Sequence, residues 1–308
     1  MDPFSKLTSE ERWKSVVLDE VFAALAHSVE LSRLLIYKGA RVLRLRLEGF
    51  QRASFDIDAS FASIVANVDS ADGSNLRSIE TLVRQAISDY FEAQEPVRYE
   101  LQKSTIKNRR KIGPHPRGWD VYWLEIEIRD LAAEGGAFAS GIQLKIDIAA
   151  PERLTDRSIS TLVVDGQTIN AVTLERIAGE KPRAFLSSLP TYRRKIHEKT
   201  KCDRRVKDLY DIVRIIRKYP LANDDFWLTA GAEFRLACES RFIDCAGLSS
   251  FRDDWEETKM AYGADKTLPN DVTFEEVEAT LDQLVNFLAA NGFIPFDFEL
   301  PDILQNDG

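Results

Sequence analysis

The chain has 308 residues, 44% hydrophobic and 30% charged, with a formal net charge of −9. That composition excludes a disordered or low-complexity polymer, and the length suffices for one large or two modest hydrophobic cores. No apolar run approaches the ~20 residues needed to span a bilayer, so a membrane role is not expected. Three widely spaced cysteines, Cys202, Cys238 and Cys245, make neither a zinc cage nor a redox pair and read as buried thiols. His27, His115 and His197 are scattered. The first residues lack the basic and then apolar build of a signal peptide, and a cytoplasmic location is expected.

The charge is unevenly spread. From Phe251 to Gly308 there are 14 acidic and 3 basic residues. This segment is expected to be a solubilising face, with a surface for a partner as the alternative. Basic residues crowd at Lys107, Arg109, Arg110, Lys111 and Arg117, and again at Arg193, Arg194, Lys195, Lys199, Lys201, Arg204, Arg205 and Lys207. Such runs are either solvated faces or a footprint for nucleotide or nucleic acid.

In chain order, Thr8 and Glu11 form a capping box opening an amphipathic helix through Trp13, Val17, Val21 and Leu25. An apolar stretch, Leu31 to Tyr37, ends at Lys38-Gly39, and a short helix follows over Ala40 to Leu47. From Ala53 to Phe61 the pattern alternates strictly. Phe55, Ile57, Ala59 and Phe61 face one way, and Ser54, Asp56, Asp58 and Ser60 the other, as in a half-buried strand. Asn75 to Phe91 reads as a helix, and Val97 to Leu101, Val121 to Ile128 and Ile142 to Ile148 as strands, the last presenting Gln143, Lys145 and Asp147 outward. Thr161–Val164 and Thr168–Val172 flank Asp165-Gly166 as a hairpin. Helical periodicity then takes over at Leu174 to Leu186, Arg204 to Tyr219, Phe226 to Glu239 and Phe274 to Asn291. The order predicts an α+β fold, with a mixed β-sheet lobe and flanking helices over residues 1–172 and a mainly helical lobe over 173–308.

Asp56 and Asp58 carry the chemical signal. Two residues apart on a strand, they share a face ~6–7 Å apart and suit a hard cation such as Mg²⁺, which takes oxygen ligands together with substrate phosphates. Aspartate is poor in strands, so a pair framed by Phe55, Ile57 and Phe61 needs a reason beyond solvation. Upstream, Lys38-Gly39-Ala40 places a glycine turn before a helix N-terminus, where backbone N–H groups meet phosphate. Asp147 would be a third carboxylate if its strand neighboured that of Asp58. Further on, Asp208 and Asp211 flank the apolar face of a helix, either as surface ion pairs or against the first lobe.

These residues fall into three ordered motifs. Lys38-Gly39, Leu43 and Arg52-x-Ser54-x-Asp56-x-Asp58 resemble the opening motif of the AbiEii-type nucleotidyltransferase toxins, Lys-Gly-Gly-Thr-x-Leu followed by Arg-x-Ser-x-Asp-x-Asp. Glu180-Lys181-x-x-Ala184 is similar to that family's Glu-Lys-x-x-Ala helix. Arg205-x-Lys207-Asp208-x-Tyr210-Asp211 is similar to its Arg-x-Lys-Asp-x-Tyr-Asp. The likeness covers roughly residues 35 to 217.

The resemblance implies a DNA-polymerase-β-like nucleotidyltransferase acting as the toxin of a toxin–antitoxin pair. It would transfer a nucleoside monophosphate from a nucleoside triphosphate to an acceptor hydroxyl, with RNA, and the transfer RNA 3′ end in particular, as the expected acceptor. Asp56 and Asp58 would hold Mg²⁺, Gly39 would lie in the phosphate-cradling turn with Lys38, Arg52 and Ser54 on the nucleotide, Lys181 would meet the triphosphate, and Asp208 would complete the site as base or acceptor guide. An antitoxin is the implied partner. Two departures stand out. Ala40 and Arg41 replace the second Gly and the Thr, with Arg41 either binding phosphate or blocking it, and Pro182 directly follows Lys181, where it would kink a helix. They keep open a non-catalytic nucleotide- or RNA-binding protein. A small-molecule nucleotidyltransferase of the antibiotic-modifying type is the other alternative.

Overall fold

A computed structural model describes residues 6–49, 52–62, 73–108, 121–149, 153–198 and 203–300. Cys202, His115, Lys199, Lys201 and the basic positions Arg109, Arg110, Lys111 and Arg117 lie outside them.

The chain opens with α1 (Ser9–His27), α2 (Val29–Leu34), β1 (Leu35–Lys38) and α3 (Gly39–Arg46). The α1 capping box forms as expected: Thr8 Oγ1 accepts from the Glu11 amide at 3.2 Å, and Glu11 accepts from the Thr8 amide at 2.8 Å. The apolar stretch from Leu31 to Tyr37 divides, its first four residues helical and its last three in β1. Then come β2 (Asp56–Phe61), α4 (Gly73–Glu92), β3 (Tyr99–Asn108), β4 (Val121–Asp130), the short α5 (Gly136–Ser140), β5 (Ile142–Ala149), β6 (Ile159–Val164) and β7 (Gln167–Val172). After them follow α6 (Leu174–Leu186), α7 (Pro190–Lys195), α8 (Val206–Lys218), α9 (Asp224–Glu239), α10 (Leu248–Phe251), α11 (Trp255–Ala264) and α12 (Phe274–Ala290).

All the described strands join one mixed sheet in the order β3-β4-β5-β2-β1-β7-β6. Its centre is β2, antiparallel to β1 and parallel to β5. One face is apolar: Ile57 and Ala59 on β2, Leu124 and Ile126 on β4, and Ile146 and Ile148 on β5 are buried. Ile79, Val83, Ile87 and Phe91 of α4 are buried as well, and α4 packs on β3 and α1. The alternation read from the sequence thus sorts core from solvent.

Behind the hairpin, α6 packs closely on α9 and on α8. Gly179 makes the approach possible, because a Cβ there would lie 2.6 Å from the Ala230 carbonyl oxygen. Arg176 and Glu233 form a buried pair at 2.8 Å across this contact, and Ser158 donates to the same carboxylate at 2.7 Å. One apolar core runs from the sheet into the helices, from Val17 and Ile57 to Phe185, Leu209 and Leu284. Cys238 and Cys245 are free thiols inside it, and burial pushes the Cys245 thiol up to about 11.

Several carboxylates of the acidic C-terminal part are paired with arginines. Asp254 pairs with Arg204, Asp271 with Arg214 and Arg217, Glu276 with Arg217, and Asp282 with Arg252. Arg204, Arg214 and Arg217 of these pairs lie outside the acidic stretch, which also includes a helix, α11, that was not read from the sequence. No described helix is long and apolar enough to cross a membrane.

Candidate active site

The outward face of β2 opens into a cleft of about 1410 Å³. Strand register assembles its floor: Asp58 lies opposite Asp147 of β5, and Asp56 opposite Lys145. One oxygen from each of Asp56, Asp58 and Asp147 lies within 4.8 Å of the others. The third carboxylate that the sequence left conditional on strand adjacency is therefore in place.

Crowding of three carboxylates has the expected electrostatic result. Burial, reinforced by Asp56 and Asp147 and partly offset by Lys38 and Arg205, pushes Asp58 up to about 7. A divalent cation would relieve that repulsion, and an all-oxygen set fits a hard ion. Ser54 supports the arrangement by donating from Oγ to Asp56 Oδ1 at 2.7 Å. It orients a carboxylate where the sequence placed it on the nucleotide.

Gly39 begins α3 with φ +77°, a region β-carbon-bearing residues avoid. A Cβ at Gly39 would reach 2.8 Å from Asp58 Cγ, so the turn and the carboxylate fit only without a side chain. Lys38, half-buried, is the N-cap residue and lies opposite Asp58 across the strand pair. The α3 amides therefore start beside the triad, where anionic oxygen is favoured.

The opposite wall comes from α6 and α8. Lys181 Nζ lies 2.8 Å from Asp208 Oδ1 and 2.6 Å from Asp211 Oδ2. Arg52, from the loop before β2, grips Asp211 through two hydrogen bonds of 2.9 and 3.0 Å. Arg205 donates to Asp208 Oδ2 at 2.6 Å. Three cations and two carboxylates interlock, leaving one positive charge in excess. Burial disfavours the charge on Asp208, but Arg205 and Lys181 outweigh it and hold the carboxyl well below its ordinary value. Burial likewise opposes the charge on Lys181, and Asp208 with Asp211 keeps it above its usual range. Both Asp208 carboxylate oxygens are engaged, Oδ1 by Lys181 and Oδ2 by Arg205.

The two sequence departures leave the cleft open. Arg41 neither binds nor blocks there: its buried guanidinium donates to the Asp56 and Ser54 carbonyls at 3.2 and 3.1 Å and pairs with Asp19. It braces the strand carrying the carboxylates. The α6 helix continues through Pro182, and Lys181 reaches its partners from it.

The second basic run divides. Arg193, Arg194, Arg204, Arg205 and Lys207 line the cleft, whereas Lys195 is bonded to Asp244 and the Phe298 carbonyl away from it. Asp211 was legible only as a helix neighbour of Asp208; its partner Arg52 lies 159 residues away. Lys145, read simply as outward-facing, contacts Asp147 Oδ2 at 2.6 Å.

Comparison with known proteins places these features. No curated protein matches significantly. A crystal structure of an antigenic nucleotidyltransferase-like protein from Paracoccidioides brasiliensis is similar at 16% identity and TM-score 0.35, over 84% of this chain and 95% of that one. The family described as nucleotidyl transferase AbiEii toxin of type IV toxin–antitoxin systems matches residues 23–297, most of the chain, cleft and helices included. The chain belongs to this family of nucleotidyltransferases.

Proposed function

We propose that the chain transfers a nucleoside monophosphate from a nucleoside triphosphate to a hydroxyl of RNA, with Mg²⁺ held by Asp56, Asp58 and Asp147. The observation that carries this reading is the convergence of the three carboxylates within 4.8 Å at a cleft that Arg193, Arg194, Arg204, Arg205 and Lys207 also line. When bound, the ion neutralises phosphate charge and aligns the displacement.

The chain's own groups supply the rest. The Gly39 turn presents backbone amides to the phosphates, and Lys38 adds a cation beside it. Lys181 has three donors, two of them directed at Asp208 and Asp211, and the third serves a phosphate oxygen. Asp208 holds Lys181 and Arg205, and Asp211, itself gripped by Arg52, holds Lys181 from the other side, so their charge is oriented before substrate arrives. The arginines that line the cleft, with Lys207, receive the polyanionic acceptor. The partner implied by the family is an antitoxin, and toxicity follows from RNA modification.

The decisive experiment incubates the protein with Mg²⁺, total RNA and each α-labelled nucleoside triphosphate in turn, beside Asp58→Ala. RNA labelling that disappears in the variant is expected and identifies the nucleotide. Labelling of a low-molecular-weight acceptor instead of RNA would favour antibiotic-type chemistry, and nucleotide binding with no transfer to any acceptor would overturn the enzymatic reading.

A further inference from the structure

The polar face of the sheet continues past the carboxylates. Register carries one row across five strands: Lys38 lies opposite Asp58, Asp58 opposite Asp147, Asp147 opposite Trp123 of β4, and Trp123 opposite Lys107 of β3. Directly opposed residues project from the same face with Cβ atoms ~4.5–5.5 Å apart. The Trp123 indole therefore starts a single strand spacing beyond the third carboxylate. Its chain neighbours Tyr122 and Leu124 are buried on the other face, whereas Trp123 remains partly exposed. Lys145, which lines the cleft, links the two: its ammonium lies 4.1 Å from the centre of the Trp123 ring and 2.6 Å from Asp147 Oδ2.

The side of the carboxylates on which this pair stands is informative. The Gly39 turn and the start of α3 adjoin β1, so phosphate is received on the β1 side of the triad. Phosphoryl displacement runs in line, with attacking and leaving oxygens on opposite sides of phosphorus. Pyrophosphate leaving toward β1 requires the acceptor hydroxyl to approach from the β5–β4 side. There the sheet offers a partly exposed indole with the Lys145 ammonium over its ring, and a π-surface together with a cation is the combination that binds single-stranded nucleic acid by stacking and charge. A sleeve for the Lys145 stem would explain contact with the ring, but not an indole placed one strand beyond Asp147 on the acceptor side.

We propose that Trp123 and Lys145 form the acceptor subsite, in which the indole stacks on the terminal base of single-stranded RNA and the ammonium contacts its backbone phosphate. The proposal rests on the RNA reading above and adds where, and by what contact, the acceptor end is held.

The test is a binding cycle. A short single-stranded RNA and the same strand with an abasic 3′-terminal residue are titrated onto the full chain, with Mg²⁺ and a non-transferable nucleoside triphosphate analogue present. Wild type, Trp123→Ala and Trp123→Phe are compared, and thermal melting confirms that each is folded. Stacking predicts that loss of the terminal base weakens wild type about tenfold or more. Trp123→Ala should bind the intact strand as weakly as wild type binds the abasic one, with no further loss on removing the base. Trp123→Phe should recover most of the discrimination. Equal weakening of both strands by Trp123→Ala, or no weakening, overturns the subsite while leaving RNA as acceptor wherever wild type labels it. A wild type that neither binds nor labels RNA overturns the RNA reading and the subsite together.

Discussion

Gly39 is the position where backbone and catalytic geometry constrain each other most tightly. Gly39→Ala asks an L-residue to hold φ +77° and drives its Cβ into the Asp58 carboxylate. Misplacement of reacting groups by about 1 Å costs on the order of 100-fold in rate. Transfer should fall by about that factor while the melting temperature moves by only a few degrees, corresponding to the ~1–2 kcal/mol of a left-handed non-glycine residue. Measured kcat and melting temperature together check this, and an unimpaired Gly39→Ala enzyme would show that the turn is not part of the site. Asp147→Asn tests the third carboxylate. It should weaken Mg²⁺ or Mn²⁺ binding by tenfold or more in calorimetric titration while the protein stays folded; unchanged affinity would confine the ion to Asp56 and Asp58. The pair Asp56 and Asp58 was legible because strict alternation put two carboxylates on one strand face. Asp147 was legible as an outward residue and a conditional third carboxylate, since the parallel pairing of β5 with β2 arises from sheet order. Trp123 and Lys145 were read only as parts of strands, and neither had a visible neighbour.

At the scale of elements, the joint between the loop before β2, α6 and α8 is made of charge. Arg52, Lys181, Asp208 and Asp211 are all buried. Removing one member leaves an uncompensated buried ion, which costs about 3–5 kcal/mol. Asp211→Leu should therefore destabilise by roughly that amount in denaturant titration. Lys181→Met in the same chain should recover part of the loss, and strict additivity of the two would argue against coupling. The same joint makes stability depend on acid. Asp208 is held below its ordinary carboxylate value in the folded chain, as is Glu180 between Arg183 and Arg176. Groups depressed on folding bind more protons when unfolded, so their contribution is complete above the ordinary carboxylate value, about 4, and is lost as pH falls below it. Melting temperature should decline between pH 5 and pH 3, and less steeply in Asp208→Asn; an equal slope would assign the acid sensitivity to other carboxylates. The helices themselves were well marked by apolar spacing. Their docking was not, because Arg52 and Asp211 meet across 159 residues, and α11 was not read inside the acidic stretch.

For the whole molecule, the named strands of the described residues end at Val172 and helices follow from Leu174. A single core nevertheless crosses this point. We expect residues 1–172 expressed alone to be insoluble or molten, with exposed apolar surface detectable by dye binding. A soluble fragment melting cooperatively would instead show that the first lobe folds as its own domain. The cleft lies between these two parts, its floor supplied by the first and most of its opposite wall by the second.

The interlocked charges of that wall have a genetic corollary. In a selection for cells that survive expression of the chain, changes at Asp56, Asp58 or Asp147 remove carboxylates from an open floor and should leave full-length protein visible on an immunoblot. Changes at Arg52, Lys181, Asp208 or Asp211 strike ions whose partners are sealed inside, and survivors carrying them should contain little or none. The two groups of escape alleles, equal in phenotype, would be told apart by abundance.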